Sequence, residues 1–283
     1  MTSANRSEPR PFRTSPATGV SLSGEEAGQG APVVLLHGLT ATRRYVVQGS
    51  NLLARRGHRI ISYDARGHGE SSPAPERTAY EYADLVADLG HVIGDLGLDR
   101  PVLVGSSMGA ATALALALEE PDRVSALVQI TPAFDGSPRE DPADLEHWDG
   151  LADALADADI DAFLERSEIN AVPERFRETA LLAVRQRLER HRDLSAVSDA
   201  VRVVPRSQAF AGLDGLAGLD LPVLVVGSRD DTDPGHPLAV SEEYARRLPR
   251  ARLLVEKEGE SPLAWRGSSL SKAIATFLDS PPE

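Results

Sequence analysis

The chain has 283 residues, 41% of them hydrophobic, with 43 acidic against 30 basic residues and a formal charge of −13. That length and apolar fraction suffice for one α/β core plus an insertion, while the acidic surplus disfavours nucleic acid and anionic membrane as partners. The absence of cysteine excludes disulfides, cysteine-held metals and a thiol nucleophile. Lysine occurs only at Lys257 and Lys272, a bias that reads as high-GC bacterial coding.

In chain order, residues 1–18 are rich in Ser, Pro and Arg and lack an apolar run. They are expected to form a disordered tail, neither a secretory signal nor a membrane span, which makes the cytoplasm the default location. Residues 19–27 are expected to add an antiparallel edge strand. Short apolar runs then predict buried strands at 32–37, 59–64, 101–106, 125–131, 222–227 and 251–256. Helices are expected at 48–56, 80–96, 107–120, 241–248 and 270–278. Such alternation implies a mostly parallel sheet covered by helices on both faces. It breaks between residues 135 and 221, where only Val201–Val204 looks strand-like and amphipathic helices dominate. Leu181, Leu182, Val184 and Leu188 give one of them an apolar stripe. The expected organisation is therefore a core of residues 19–134 and 222–283 carrying a helical cap of residues 135–221. From Asp135 to Glu165 the cap holds eleven acidic residues against one base, Arg139. A solvated outer face accounts for them; any that face a pocket would repel anionic substrates.

Residues 102–110 read VLVGSSMGA, a Gly-x-Ser-x-Gly pentad (Gly105, Ser107, Gly109) between an apolar strand and an alanine-rich helix. Such a strand–turn–helix junction exposes Ser107 on a strained turn above the sheet. The two glycines let the backbone arms pass where a Cβ would clash. His37-Gly38-Leu39 follows the first long strand, and Asp64-x-Arg66-Gly67-His68-Gly69-x-Ser71 follows the next. After the strand at 222–227 comes Gly227-x-x-Asp230-x-x-x-Pro234.

These motifs, each at a strand end and in this order, resemble the α/β-hydrolase fold superfamily from about residue 19 to 277. The resemblance implies an α/β fold with Ser107 as nucleophile and an oxyanion hole made by the N–H groups of Met108 and Leu39. It implies Asp230 as the acid, with Asp135, one strand earlier, as the alternative; Asp231 and Asp233 read as turn residues. His37 and His68 read as loop scaffolding. Members with an aspartate nucleophile, the haloalkane dehalogenases and epoxide hydrolases, are set aside by Ser107. The substrate is expected to be a small molecule, with no cofactor and no metal implied. Oligomeric state has no signature in the sequence.

The chain departs from the family at one point. Residues 256–263 read EKEGESPL, with Glu260 where the family carries its catalytic histidine, and no histidine follows His236. Losing that histidine costs a serine hydrolase roughly 10⁶ in kcat. Two residues are candidate bases. Glu260, set beside Asp230, would share a proton with it and would be a weak base. His236 lies in Asp233-Pro234-Gly235-His236-Pro237, before an expected helix whose N-terminus would keep the imidazole neutral, although a loop histidine that merely packs fits equally. His58 and His91 precede strands, on the opposite rim, while His147 and His191 belong to the cap. The reading is a serine-dependent hydrolase of a small or medium ester, lactone, thioester or activated carbonyl, with Asp230 orienting His236 or Glu260. The alternatives are a non-hydrolytic lyase or isomerase of the same fold and a catalytically impaired ligand-binding member.

Overall fold

A computed structural model describes residues 8–16 and 19–282. Eight strands form one sheet: β1 (Arg10–Thr14), β2 (Leu22–Gly28), β3 (Ala31–Leu36), β4 (His58–Tyr63), β5 (Val102–Ser106), β6 (Ala126–Ile130), β7 (Val223–Val226) and β8 (Ala251–Leu254). Their order is β1-β2-β4-β3-β5-β6-β7-β8. The β1–β2 and β2–β4 pairs are antiparallel; every other pair is parallel. Each apolar run from residue 32 onward falls on a strand. The Val and Leu content of β3, β5, β6 and β7 answers to helices on both faces, which leave no side for polar groups.

Two expectations are corrected at the amino end. Arg10–Thr14, inside the stretch read as a disordered tail, pairs along its whole length with β2. That makes β1 the edge and puts β2 inside the sheet. The strand has little apolar signal of its own. It is held by backbone pairing, by Phe12 lying over Gly24, and by an Arg10–Glu26 ion pair at 3.1 Å. Residues 1–7 of the expected tail lie outside the described residues.

Helices α1 (Leu52–Arg55), α2 (Tyr82–Asp95), α3 (Met108–Glu119), α8 (Leu238–Arg247) and α9 (Gly267–Asp279) flank the sheet. Side chains of α2, α3 and α8 share one apolar cluster with the sheet, and those of α1 and α9 share the other. α3 is buried continuously from Met108 to Ala117. Its alanines are what allow a helix to pack against the strands and against α2 at once.

Between β6 and β7 run α4 (Pro142–Ala156), α5 (Ile160–Arg166), α6 (Glu174–Leu188) and α7 (Leu194–Val203). They enclose a third apolar cluster that includes Leu151, Leu155, Phe163, Leu188, Val197 and Val201. The strand considered at Val201–Val204 is instead the end of α7, where Val197 and Val201 are neighbours on one helical face. Of the α6 stripe, Val184 and Leu188 are buried while Leu182 is 52% exposed. Much of the acidic run has local work. Asp141 and Asp159 accept hydrogen bonds from the first turns of α4 and α5, and Asp149 and Asp153 pair with Arg202 across the α4–α7 seam. The insertion seats on the loops after β3 and β4. Leu39 packs into its apolar cluster, and His191 Nδ1 accepts from the Gly69 N–H at 2.9 Å. No helix among the described residues is long and apolar enough to cross a membrane.

Candidate active site

β5 passes directly into α3 at Ser107, whose φ is +50° and ψ −111°. A non-glycine residue there carries strain of about 1–3 kcal/mol, and the surroundings hold it in place. Its N–H donates to the Ile130 carbonyl at 2.9 Å. A Cβ on Gly105 would fall 2.2 Å from the Gly109 oxygen, and one on Gly109 would fall 2.4 Å from the Leu36 oxygen. Only glycine fits either position. The loop after β3 lies against the serine: a Cβ on Gly38 would be 3.4 Å from the Ser107 Cβ. Met108 is the first residue of α3, so its N–H has no helical acceptor. Neither it nor the Leu39 N–H donates to another backbone group among the described residues. Ser107 and Leu39 are half-buried and Met108 is buried.

Three histidines brace that loop. His37 Nε2 accepts from the Ala65 N–H at 2.9 Å, which leaves Nδ1 to donate to the Gly38 carbonyl at 2.8 Å. His68 lies 2.8 Å from the Arg66 carbonyl through Nδ1 and 2.5 Å from the Leu39 carbonyl through Nε2. His191 Nε2 is 3.2 Å from the Thr40 carbonyl. The rings of His37, His68 and His191 follow one another at 5.1 and 5.6 Å. Burial drives all three towards the neutral form; His191 is pushed down to about 3 by burial and then by His68. A neutral His68 donates to one of its two carbonyls, and the bonds of His37 and His191 hold backbone in place on either side, as scaffolding does.

On the acid side the expectation changes. Asp230 is exposed, and its Oδ1 accepts the Leu238 N–H at 2.7 Å at the start of α8. The residue bonded to His236 is Asp233, with Nδ1 to Oδ1 at 2.9 Å. Local geometry explains the exchange. The His236 N–H closes a turn onto the Asp233 carbonyl at 3.1 Å, which brings the two side chains together. The Asp230 carboxylate is drawn to the free N–H and positive end of α8. Burial opposes the imidazolium of His236, but the charge and hydrogen bond of Asp233 favour it, and the net direction is upward. Asp231 is exposed, and Asp135, also exposed, accepts from the Ser137 N–H in its own turn.

Glu260 is exposed as well, with its carboxylate 3.9 Å from Arg266. Among the described residues it forms no hydrogen bond with Asp230, Asp233 or His236, so the expected pair of facing carboxylates is not formed. The turn carrying it closes through the Glu260 N–H onto the Lys257 carbonyl, with Gly259 at φ +79°. A residue that the sequence reading missed is Glu256, buried just beyond β8. Its Oε1 accepts from the Arg229 N–H at 2.7 Å and the Thr232 hydroxyl at 3.2 Å, tying down the loop that leads to Asp233. A carboxylate ending an apolar strand, as in ARLLVE, was the available signal. His147 meets the ring of Trp148 at 6.3 Å in α4. No group of three His, Asp or Glu side chains among the described residues is arranged to hold a metal ion.

Residues 31–266 match the family described as alpha/beta hydrolase fold. The sn-1-specific diacylglycerol lipase ABHD11 of Danio rerio is 36% identical over 104 residues, which are 36% of this chain and 32% of that protein. The matched stretch thus spans about a third of that relative's length. Among solved structures, the enol-lactonase from Burkholderia xenovorans superposes with a TM-score of 0.78 at 21% identity, covering 95% of this chain and 100% of that one. An esterase from Exiguobacterium antarcticum gives 0.77 at 23% identity, covering 95% and 99%. At such identities these two likenesses speak for the fold. With the match extending over most of its length, the chain belongs to the α/β-hydrolase fold family.

Proposed function

We propose that this protein is a serine-dependent hydrolase of small or medium esters, lactones or thioesters. In this reading Ser107 is the nucleophile, the N–H groups of Leu39 and Met108 receive the oxyanion, and His236 is the base, oriented by Asp233 instead of Asp230. The helices of residues 135–221 cap the site and shape its specificity. The observation that carries the reading is the backbone of Ser107, at φ +50° beside two unengaged N–H groups. Packing alone gives no reason to keep a strained serine there.

The chemistry follows from those positions. The base takes the Ser107 proton as Oγ attacks the carbonyl carbon, and the negative charge moves to an oxygen facing the two N–H groups. Donors fixed beforehand act most strongly on charge present only in the transition state. Collapse of the tetrahedral species expels the leaving group, which takes the proton back from the imidazolium, and water then repeats the sequence on the acyl-enzyme. Asp233 favours the imidazolium that this cycle requires.

The test is intact-mass analysis after exposure to a fluorophosphonate, with Ser107→Ala and His236→Gln in parallel. Rapid single labelling of the native chain, abolished in Ser107→Ala and slowed by two or more orders of magnitude in His236→Gln, is the expected result. Unchanged labelling of His236→Gln would overturn the base assignment. No labelling of the native chain would overturn the hydrolase reading in favour of non-hydrolytic chemistry or ligand binding.

A further inference from the structure

The turn that carries Leu39 is supported at successive carbonyls, each facing an imidazole from a different part of the chain. The Gly38 oxygen meets His37 Nδ1 at 2.8 Å, the Leu39 oxygen meets His68 Nε2 at 2.5 Å and the Thr40 oxygen meets His191 Nε2 at 3.2 Å. His37 and His68 belong to the loops after β3 and β4, whereas His191, just beyond α6, belongs to the insertion. Its tautomer follows from its neighbours. Nδ1 accepts the Gly69 N–H at 2.9 Å, so the ring proton sits on Nε2 and is donated to Thr40.

Seating the insertion does not require this last bond. The Arg192 N–H donates to the Gly69 carbonyl at 3.1 Å, and the Arg192 side chain pairs with Glu70 at 3.8 Å. The bond to Thr40 instead reaches into the turn. The Thr40 carbonyl and the Ala41 N–H share one planar trans peptide, in which they point in opposite directions. That N–H donates to the Gly38 carbonyl at 2.9 Å. The Gly38 carbonyl in turn shares its peptide with the Leu39 N–H, and a Cβ on Gly38 would lie 3.4 Å from the Ser107 Cβ. Two peptides thus join His191 Nε2 to the Leu39 N–H. Each is held at its oxygen by a donor, which fixes where its N–H points and polarises it as well.

We infer that His191 is a positioning residue supplied to the oxyanion hole by the insertion, orienting and polarising the Leu39 N–H through the turn of residues 38–41. This rests on the hydrolase reading of the site. Burial keeps the ring neutral, so the donor at Nε2 and the acceptor at Nδ1 coexist. Charge on the oxyanion is present only in the transition state, so a misdirected donor costs rate and not affinity.

Fluorophosphonate labelling, followed by intact mass over a range of probe concentrations, separates those two quantities as a limiting rate and a half-saturating concentration. His191→Gln and His191→Asn divide the bonds of the ring. The longer amide brings its nitrogen to the Nε2 position and keeps the bond to Thr40. The shorter one places its oxygen near Nδ1 and keeps the bond to Gly69. His191→Asn is expected to lower the limiting rate on the order of ten- to a hundredfold, short of the roughly 10²–10³ for losing a donor outright, with half-saturation within about twofold. His191→Gln should recover most of that rate. If His191 only seats the insertion, the order of the two variants reverses, or both lose rate in step with their urea midpoints; either result would overturn the inference. Should His191→Asn not fold, His191→Gln decides: a limiting rate within about threefold of native supports the relay, and a loss of about tenfold or more overturns it. Failure of the hydrolase reading looks different. An unlabelled native chain removes that reading and this inference together, whereas a labelled chain indifferent to His191→Asn defeats the positioning role alone.

Discussion

His236 and Asp233 sit three residues apart in one turn, and their bond gives the proposed base a definite pH signature. A base works in its neutral form, and Asp233 favours the charged one, so the acidic limb of kcat/KM is expected above the ordinary histidine value of about 6.5. Asp233→Asn removes that charge and leaves burial in force. The limb should therefore move to lower pH while the plateau falls by roughly 10²–10⁴. A pH–rate profile in which Asp233→Asn leaves both unchanged would sink the assignment. Glu260 provides the contrast: exposed and facing Arg266, it should tolerate Glu260→Gln with activity within about twofold, and a large loss would return it to the candidates. That Ser107 heads a helix after a strand was legible in VLVGSSMGA, because the glycines and the serine lie within one pentad. The Asp230/Asp233 choice was not. Both carboxylates fit the local spelling, and which one meets the histidine depends on a turn and on where α8 begins.

At the scale of elements, tight approach and helix capping carry the consequences. A Cβ on Gly109 would meet the Leu36 backbone oxygen at 2.4 Å, where neither strand nor helix can give. Gly109→Ala should thus lose about 3 kcal/mol or more of stability, or fail to fold. Gly94, within α2, has open space around its Cβ position and no unusual φ. There the same change should stabilise by about 0.5–1 kcal/mol, because alanine loses less backbone freedom in a helix. Denaturant midpoints of the two variants check both signs, and similar shifts would contradict the packing argument. Asp230→Asn belongs here too. If the carboxylate caps α8, the variant should lose about 1 kcal/mol or less while fluorophosphonate labelling persists; abolished labelling would restore Asp230 as the acid. The strands from β3 onward were legible as apolar runs because both faces are buried. β1 was not, since RPFRT gains its stability from pairing with β2 and from Gly24 beneath Phe12.

Across the whole molecule, the histidines couple the insertion to the core and make stability depend on pH. His191 accepts the Gly69 N–H through Nδ1, a role that protonation abolishes. Its folded pKa is lowered to about 3 by burial and by His68, with Arg187 adding to the effect and the Thr40 carbonyl opposing it. The unfolded chain takes up that proton near pH 6.5 and the folded chain does not. The stability concerned is therefore present above about pH 6.5 and lost progressively as pH falls towards about 3, each unit being worth about 1.4 kcal/mol. His37 acts in the same direction, its pKa lowered by burial and by His68. His236 acts in the opposite one, contributing below about 6.5 and losing that contribution as pH rises through its raised value. Urea midpoints at pH 7.5 and pH 5 should fall more for the native chain than for His191→Gln, and equal slopes would refute the coupling.

Periodicity, strand-end glycines and a serine at an elbow are local properties, so the sequence by itself determined the mostly parallel sheet, the helices on its faces and the identity of the nucleophile candidate. Which carboxylate meets His236 depends on a turn and on where α8 begins, and the tie from Glu256 to Arg229 and Thr232 joins residues far apart in the chain. Only the tertiary structure decided these, because hydrogen bonds and buried charges are settled by which loops the sheet and the insertion bring together.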